Sequence, residues 1–247
     1  MRNLLLRLMY DGASYHGWQV QPNGITVQET LQNAVEQILG VRENVTGCSR
    51  TDAGVHANDF CCNIRTQSSI DCYRLQGALN AVLPDSICVK SVSEVSEDFH
   101  ARYNCVTKQY VYRVWNASYK NPFMVDRAWH YKNKIDENFL NEQAQAYVGT
   151  HDFKAFCSAG STVEDTVRTV KAFSVTRNGE EVIFTVEADG FLYNMVRIMV
   201  GSLIEISENK IEKDKLSAII ETKDRSLAGR TAPAQGLYLN KVNYGED

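Results

Sequence analysis

The densest chemistry in this 247-residue chain lies in nine residues. Ser49-Arg50-Thr51-Asp52-Ala53-Gly54-Val55-His56-Ala57 sets five polar or ionisable side chains and a glycine between two apolar runs. A carboxylate held in such a loop can serve as nucleophile or general base, which makes Asp52 the candidate reactive group. Arg50, two residues away, can share the same mouth, or it can form an ordinary exposed ion pair that carries no chemistry. Two further stretches attract attention. Arg197 stands among Met195, Val196, Ile198 and Met199, where a guanidinium is costly without a carboxylate partner unless it snorkels at a helix edge. In Lys108-Gln109-Tyr110-Val111-Tyr112, strand alternation puts Tyr110 and Tyr112 on one face, and either one reads by default as a half-buried sheet residue.

These groups need elements to hold them. Residues 44–48 and 59–65 read as strands on either side of the Asp52 stretch, which is then the loop between them. Upstream, 4–10 reads as a strand followed by a turn-rich loop. Thr26 and Glu29 then open a helix whose face is Val27, Leu31, Ala34, Val35, Ile38 and Leu39, ended by Gly40. Residues 71–83 show helical spacing stopped by Pro84, and 87–92 reads as a strand. The order is β-α-β-β-α-β, that of a ferredoxin-like unit. A second pass follows the acidic 93–98 link, with a strand over 107–115, a helix from an Asp136 cap to Gly149, and strands over 168–177 and 182–188 joined through Asn178-Gly179. An apolar helix over 191–206, a shorter one over 213–221 and a closing strand over 237–242 complete it. The expected fold is α+β: two tandem ferredoxin-like units, 1–105 and 106–247, sharing a mostly antiparallel central sheet with helices packed on it.

Arg50-Thr51-Asp52-Ala53-Gly54-Val55-His56-Ala57 resembles the signature loop of the tRNA pseudouridine synthase A family. Phe191-Leu192-Tyr193-Asn194-Met195-Val196-Arg197 resembles a second motif of that family. Tyr10-Asp11-Gly12, His16-Gly17-Trp18-Gln19, Thr26-Val27-Gln28, Phe99-His100-Ala101-Arg102 and Gly236-Leu237-Tyr238-Leu239 look like family positions in family order, so the resemblance spans essentially the whole chain. It implies the pseudouridine synthase fold and isomerisation of uridine at tRNA positions 38 to 40, in the anticodon stem-loop. It also implies that Asp52 is catalytic, that Arg197 pairs with it, and that Tyr110 stacks on the target base. Arg50 would take the space left by the flipped nucleotide, and the chain would act as a homodimer on tRNA. The family chemistry does not use His56, which reads as structural. The chain departs from the family pattern at Cys48-Ser49, where a glycine often precedes the arginine, and at Asp59-Phe60, where a Gly-Gln pair is common.

Composition sets the remaining bounds. With 44% hydrophobic and 23% charged residues, the chain reads as a globular protein, without the composition of a disordered one. Arg7 interrupts the first apolar run, and 191–206 is too short and too charged to span a bilayer, so no membrane association and a cytoplasmic location are expected. Seven cysteines form an odd set with no C-x-x-C pair, which argues against a disulfide framework and structural zinc. No P-loop or dinucleotide fingerprint appears, and the implied reaction, which detaches uracil from C1′ of the ribose and rejoins it there through C5, changes only connectivity and requires no cofactor or metal. A net charge of −4 runs against the basic surface expected of an RNA binder. The acids, however, gather at 94–98, 205–214 and 246–247, so local basic surface survives. Two rival readings remain: a non-catalytic RNA-binding protein of paired ferredoxin-like units, and a small-molecule enzyme using Asp52 and Arg197 as an acid/base pair.

Overall fold

Four leucines, Leu4, Leu5, Leu6 and Leu8, bury both faces of the first strand, β1 (Arg2–Tyr10), in the computed structural model, which describes residues 1–160 and 163–245. Helix α1 (Val27–Leu39) follows, capped where expected. The Thr26 side chain accepts from the Glu29 amide at 3.3 Å, and Gly40 takes the left-handed φ of 73° that ends the helix. Only Val27, Leu31, Ala34 and Val35 of its apolar stripe are buried; Ile38 and Leu39, in the last turn, lie half-buried. Then come β2 (Thr46–Gly47), β3 (His56–Thr66), α2 (Cys72–Val82, with Asp71 accepting from the Tyr73 and Arg74 amides) and β4 (Ile87–Val95). The order is β-α-β-β-α-β. β1 lies between β3 and β4, antiparallel to both, with Leu6 facing Cys62 and Val92.

The strand flanking the Asp52 loop on its C-terminal side starts earlier than the alternation suggests, at His56, so the end of the nine-residue stretch is sheet and not loop. The one before it is shorter, two residues instead of five, because its only pairing is Thr46 with Asn63 and Gly47 with Cys62. That leaves β3 open at 56–57, and the last strand of the chain, Leu237–Asn243, pairs there in parallel, Tyr238 with His56 and Leu239 with Ala57. The sequence reading closes the second unit with this strand. In the structure one compact unit comprises Met1–Val106 and the chain from Tyr238 on, and the other Thr107–Leu237. Strand order along a chain does not reveal which open edge a late strand will fill.

The second unit contains β5 (Thr107–Trp115), β6 (Trp129–His130), α3 (Glu137–Ala144), β7 (Gly149–Asp152), β8 (Val167–Asn178), β9 (Glu181–Ala188), α4 (Met195–Ser207) and α5 (Leu216–Thr222). Its strands are ordered β5-β9-β8-β7, each antiparallel to the next, with β6 parallel to β5. Two short strands, β6 and β7, and several single turns of 3-10 helix break the expected repeat of the first unit. The β8–β9 turn is shifted by one residue: Asn178 pairs with Glu181, so Gly179 and Glu180 form the turn, with φ 58° at Gly179. Helix α4 begins at Met195 and not at 191, since Asn194 sits in the left-handed region at φ 61°. It is buried on almost every side, as its all-round hydrophobicity demands. Tyr147, Phe153, Phe156 and Phe184 fill the core of this unit.

Candidate active site

Asp52 opens a tight turn whose closing bond runs from the Val55 amide to the Asp52 carbonyl at 3.1 Å. Gly54, at φ 76°, stands third of the four residues, where a type II turn requires a positive φ. The loop over 11–19 clamps this turn from outside. Trp18 donates its amide to the Thr51 carbonyl at 3.1 Å, Gly54 donates to the Tyr15 carbonyl at 3.2 Å, and the Tyr10 hydroxyl meets Thr51 Oγ1 at 2.9 Å. Two glycines allow the approach. A Cβ on Gly12 would lie 2.0 Å from the Val55 carbonyl oxygen, and one on Gly17 would lie 2.4 Å from that of Thr51. Thr51, Val55 and His56 are buried, Asp52 is half-buried and Arg50 is exposed. A rigid, partly desolvated loop therefore presents one carboxylate at its rim, with an arginine two residues away.

His56 belongs to the scaffold. Its Nδ1 accepts from the Gly12 amide at 3.0 Å, and its ring stacks on Tyr238 with centroids 4.6 Å apart. An Nδ1 that accepts has no proton to share, so its 3.2 Å approach to Asp11 Oδ1 is not a salt bridge in that tautomer. Next to it, β3 carries an extra residue relative to β1, since Leu8 faces Phe60 while Tyr10 faces Ala57. The departure from the family pattern at Asp59 falls in this bulge. There its buried carboxylate meets Arg7 at 2.6 Å and Lys90 at 3.2 Å.

In the second unit both tyrosines of β5 are buried, but in different surroundings. Tyr112 is wholly buried, its hydroxyl donates to the Pro233 carbonyl at 2.7 Å, and its ring leaves no room for a Cβ on Gly236. Burial drives its phenol well above the ordinary pKa of 10. It is a core residue. Tyr110, two residues along the same face, packs edge-on against Phe191 at 5.0 Å. Arg197, on the first turn of α4, donates Nε to the Ala232 carbonyl and Nη1 to Asn194 Oδ1, both at 2.7 Å. Asn194 in turn donates to Ser158 Oγ at 2.9 Å. The guanidinium is thus aimed by its neighbours and is not a loose snorkelling side chain. Asp52 and Arg50 belong to the first unit, Tyr110 and Arg197 to the second.

The supporting residues Tyr10, Gly12, Gly17, Thr51 and Asn194 were not singled out one by one by sequence reasoning. The glycines had a signal in being turn formers near a polar stretch; the contact between Tyr10 and Thr51 had none, because a hydroxyl pair across a fold leaves no local pattern, and nothing in the apolar run around Asn194 marks its role. Among the described residues no group of three or more His, Cys, Asp or Glu is placed to hold a metal ion, and no helix is long and apolar enough to cross a membrane.

A family model described as tRNA pseudouridine synthase matches residues 8–104 and 143–245, which include Asp52 and Arg197. The chain belongs to the tRNA pseudouridine synthase family. Tyr110 lies between the two matched segments of that family's model. The chain is 45% identical to tRNA pseudouridine synthase A of Acetivibrio thermocellus over 99% of its own length and 100% of the relative's. It is 42% identical to tRNA pseudouridine synthase A of Clostridium acetobutylicum over the same shares. Among solved structures, a Cbf5-Nop10-Gar1 complex shows 12% identity and a TM-score of 0.37, over 79% of this chain and 52% of that one, too slight a likeness to carry an argument.

Proposed function

We propose that the chain isomerises uridine to pseudouridine at position 38, 39 or 40 in the anticodon stem-loop of tRNA, acting as a homodimer in the cytoplasm. That the reaction is isomerisation of a tRNA uridine follows from family membership; the positions and the residue roles are our reading. The observation that carries it is the clamped turn at Asp52, which holds one carboxylate at the rim of a rigid loop. Asp52 attacks the nucleotide or removes a proton from it, and Arg197 keeps it ionised as its counterion. Tyr110, not Tyr112, stacks on the base, since the Tyr112 ring is wholly enclosed in the core. A stacked uridine must leave its helix before it can be cut from its sugar, at a cost of roughly a few kcal/mol, and Arg50 fills the gap.

Purified protein incubated with unmodified tRNA transcripts and EDTA tests this directly. Mapping should find pseudouridine confined to 38–40, with an unstructured RNA of equal length reacting poorly. Modification confined to another arm would refute the assigned positions. Binding without any conversion would favour a non-catalytic RNA-binding protein.

A further inference from the structure

Beside Arg50, the first unit places a second arginine, Arg102, that the functional reading leaves without a role. A notch of about 190 Å³ opens beside the Asp52 loop, lined by Trp18, Thr46, Gly47, Ser49, Arg50 and Arg102 among others. Small-molecule pockets run to roughly 300–1,000 Å³, so a space of this size takes one part of a longer ligand. Its walls are preset. Trp18 stacks on Phe60 at 4.0 Å, and Gln28, bordering the notch, spends its side-chain amide on the Val20 N–H and the Val45 carbonyl. Arg50 and Arg102 are both exposed, and among the described residues no carboxylate engages either guanidinium. Arg102 is there by construction. It follows Ala101, which is wholly buried and is held on both sides, its amide by Asn63 Oδ1 at 3.0 Å and its carbonyl by the Tyr244 hydroxyl at 2.8 Å. A chain of net charge −4 that brings two unneutralised guanidinium groups to one polar notch is built for an anion there.

Resting on the tRNA reading above, we propose that this notch holds a backbone phosphate of the bound tRNA, and that Arg102 is the positioning residue that grips it. Arg50 is two residues from Asp52, so a phosphate seated here belongs to the same stretch of RNA as the uridine being turned over. Holding the backbone at a fixed point beside the reactive carboxylate sets the register in which one nucleotide, and not its neighbour, is presented. The recognition is of charge and carries no base preference.

The test compares wild type, Arg102→Gln and Arg102→Lys on one tRNA transcript. Arg102→Gln should raise KM about tenfold, as the loss of one charged phosphate contact does, with the loss falling on KM and not kcat. The slope of log affinity against log salt should become shallower by about 1, and Arg102→Lys should recover most of both. A transcript series with single methylphosphonate linkages through the anticodon arm supplies a second arm that needs no folded variant. One neutral linkage should weaken wild type about tenfold. An unchanged salt slope in Arg102→Gln, or a methylphosphonate series without a sensitive linkage, would overturn the assignment while wild-type turnover stood. Failure of wild type to convert any tRNA uridine would instead overturn the functional reading itself.

Discussion

At the scale of single residues, the site separates groups that react from groups that hold. Asp52→Asn preserves shape but removes the charge and turns one acceptor oxygen into a donor, so turnover should fall by at least about 10³-fold while tRNA affinity stays near wild type. Substantial pseudouridine formation by a folded Asp52→Asn protein would rule out its catalytic role. If Arg197 works only through Asp52, the double variant with Arg197→Met should be little slower than Asp52→Asn alone. The tyrosines make a sharper contrast. Tyr112→Phe strips a half-buried carbonyl, that of Pro233, of its donor and should lower stability by about 1 kcal/mol with little effect on kcat. Tyr110→Phe keeps the ring that stacks and should leave kcat near wild type, whereas Tyr110→Leu removes it and should lower kcat; steady-state kinetics beside urea unfolding tells the two positions apart.

At the scale of elements, the loop over 11–19 is what gives the Asp52 turn its shape. Gly17→Ala forces a side chain into φ 86° and onto the Thr51 carbonyl, so it should cost more than about 1 kcal/mol and lower kcat by moving Asp52. Gly40→Ala, at φ 73° with open space around it, should cost about 1 kcal/mol and leave kcat alone, which thermal unfolding with activity assays will show. Helix α4 ends at Glu208, where burial opposes ionisation. Hydrogen bonds from Lys210, Arg230 and Tyr131 outweigh it and hold the carboxyl at about 2, below its ordinary 4.5. A depressed native pKa stabilises above the unfolded value and is lost as pH falls through the folded one. The urea midpoint of Glu208→Gln should therefore lie below wild type above about pH 4.5, and the gap should close toward about pH 2. Elements with local causes were legible: α1 from Thr26 and Gly40, α2 from Asp71 and Pro84, β5 from its alternation. Asp52 and Arg197 stood out because charge in those surroundings demands an explanation. The late start of α4 was hidden because Phe191 and Leu192 continue its apolar run and nothing marks Asn194 as left-handed. The clamp on Asp52 joins residues about forty apart, a relation no local pattern records.

At the scale of the molecule, the first unit is discontinuous. The chain leaves it at Val106 and returns at Tyr238, and the returning segment is held at several points. Leu239 and Val242 are buried, the Asn243 carbonyl accepts from the Val106 amide at 2.8 Å, and Tyr244 reaches Ala101. A chain stopped at residue 237 should keep the hydrogen-exchange protection of β8 and β9 and lose that of β1 and β3; unchanged protection in β1 and β3 would show the return to be dispensable. The same wiring bears on how the protein is made. At roughly 5–20 residues per second, the ribosome spends on the order of ten seconds on the stretch between 107 and 237. Throughout that interval the edge of β3 at His56 lacks its partner strand, and Tyr238, on which His56 stacks, has not been translated. The nascent chain therefore carries Asp52 for most of its synthesis without the finished scaffold around it, and competence arrives only with the last strand.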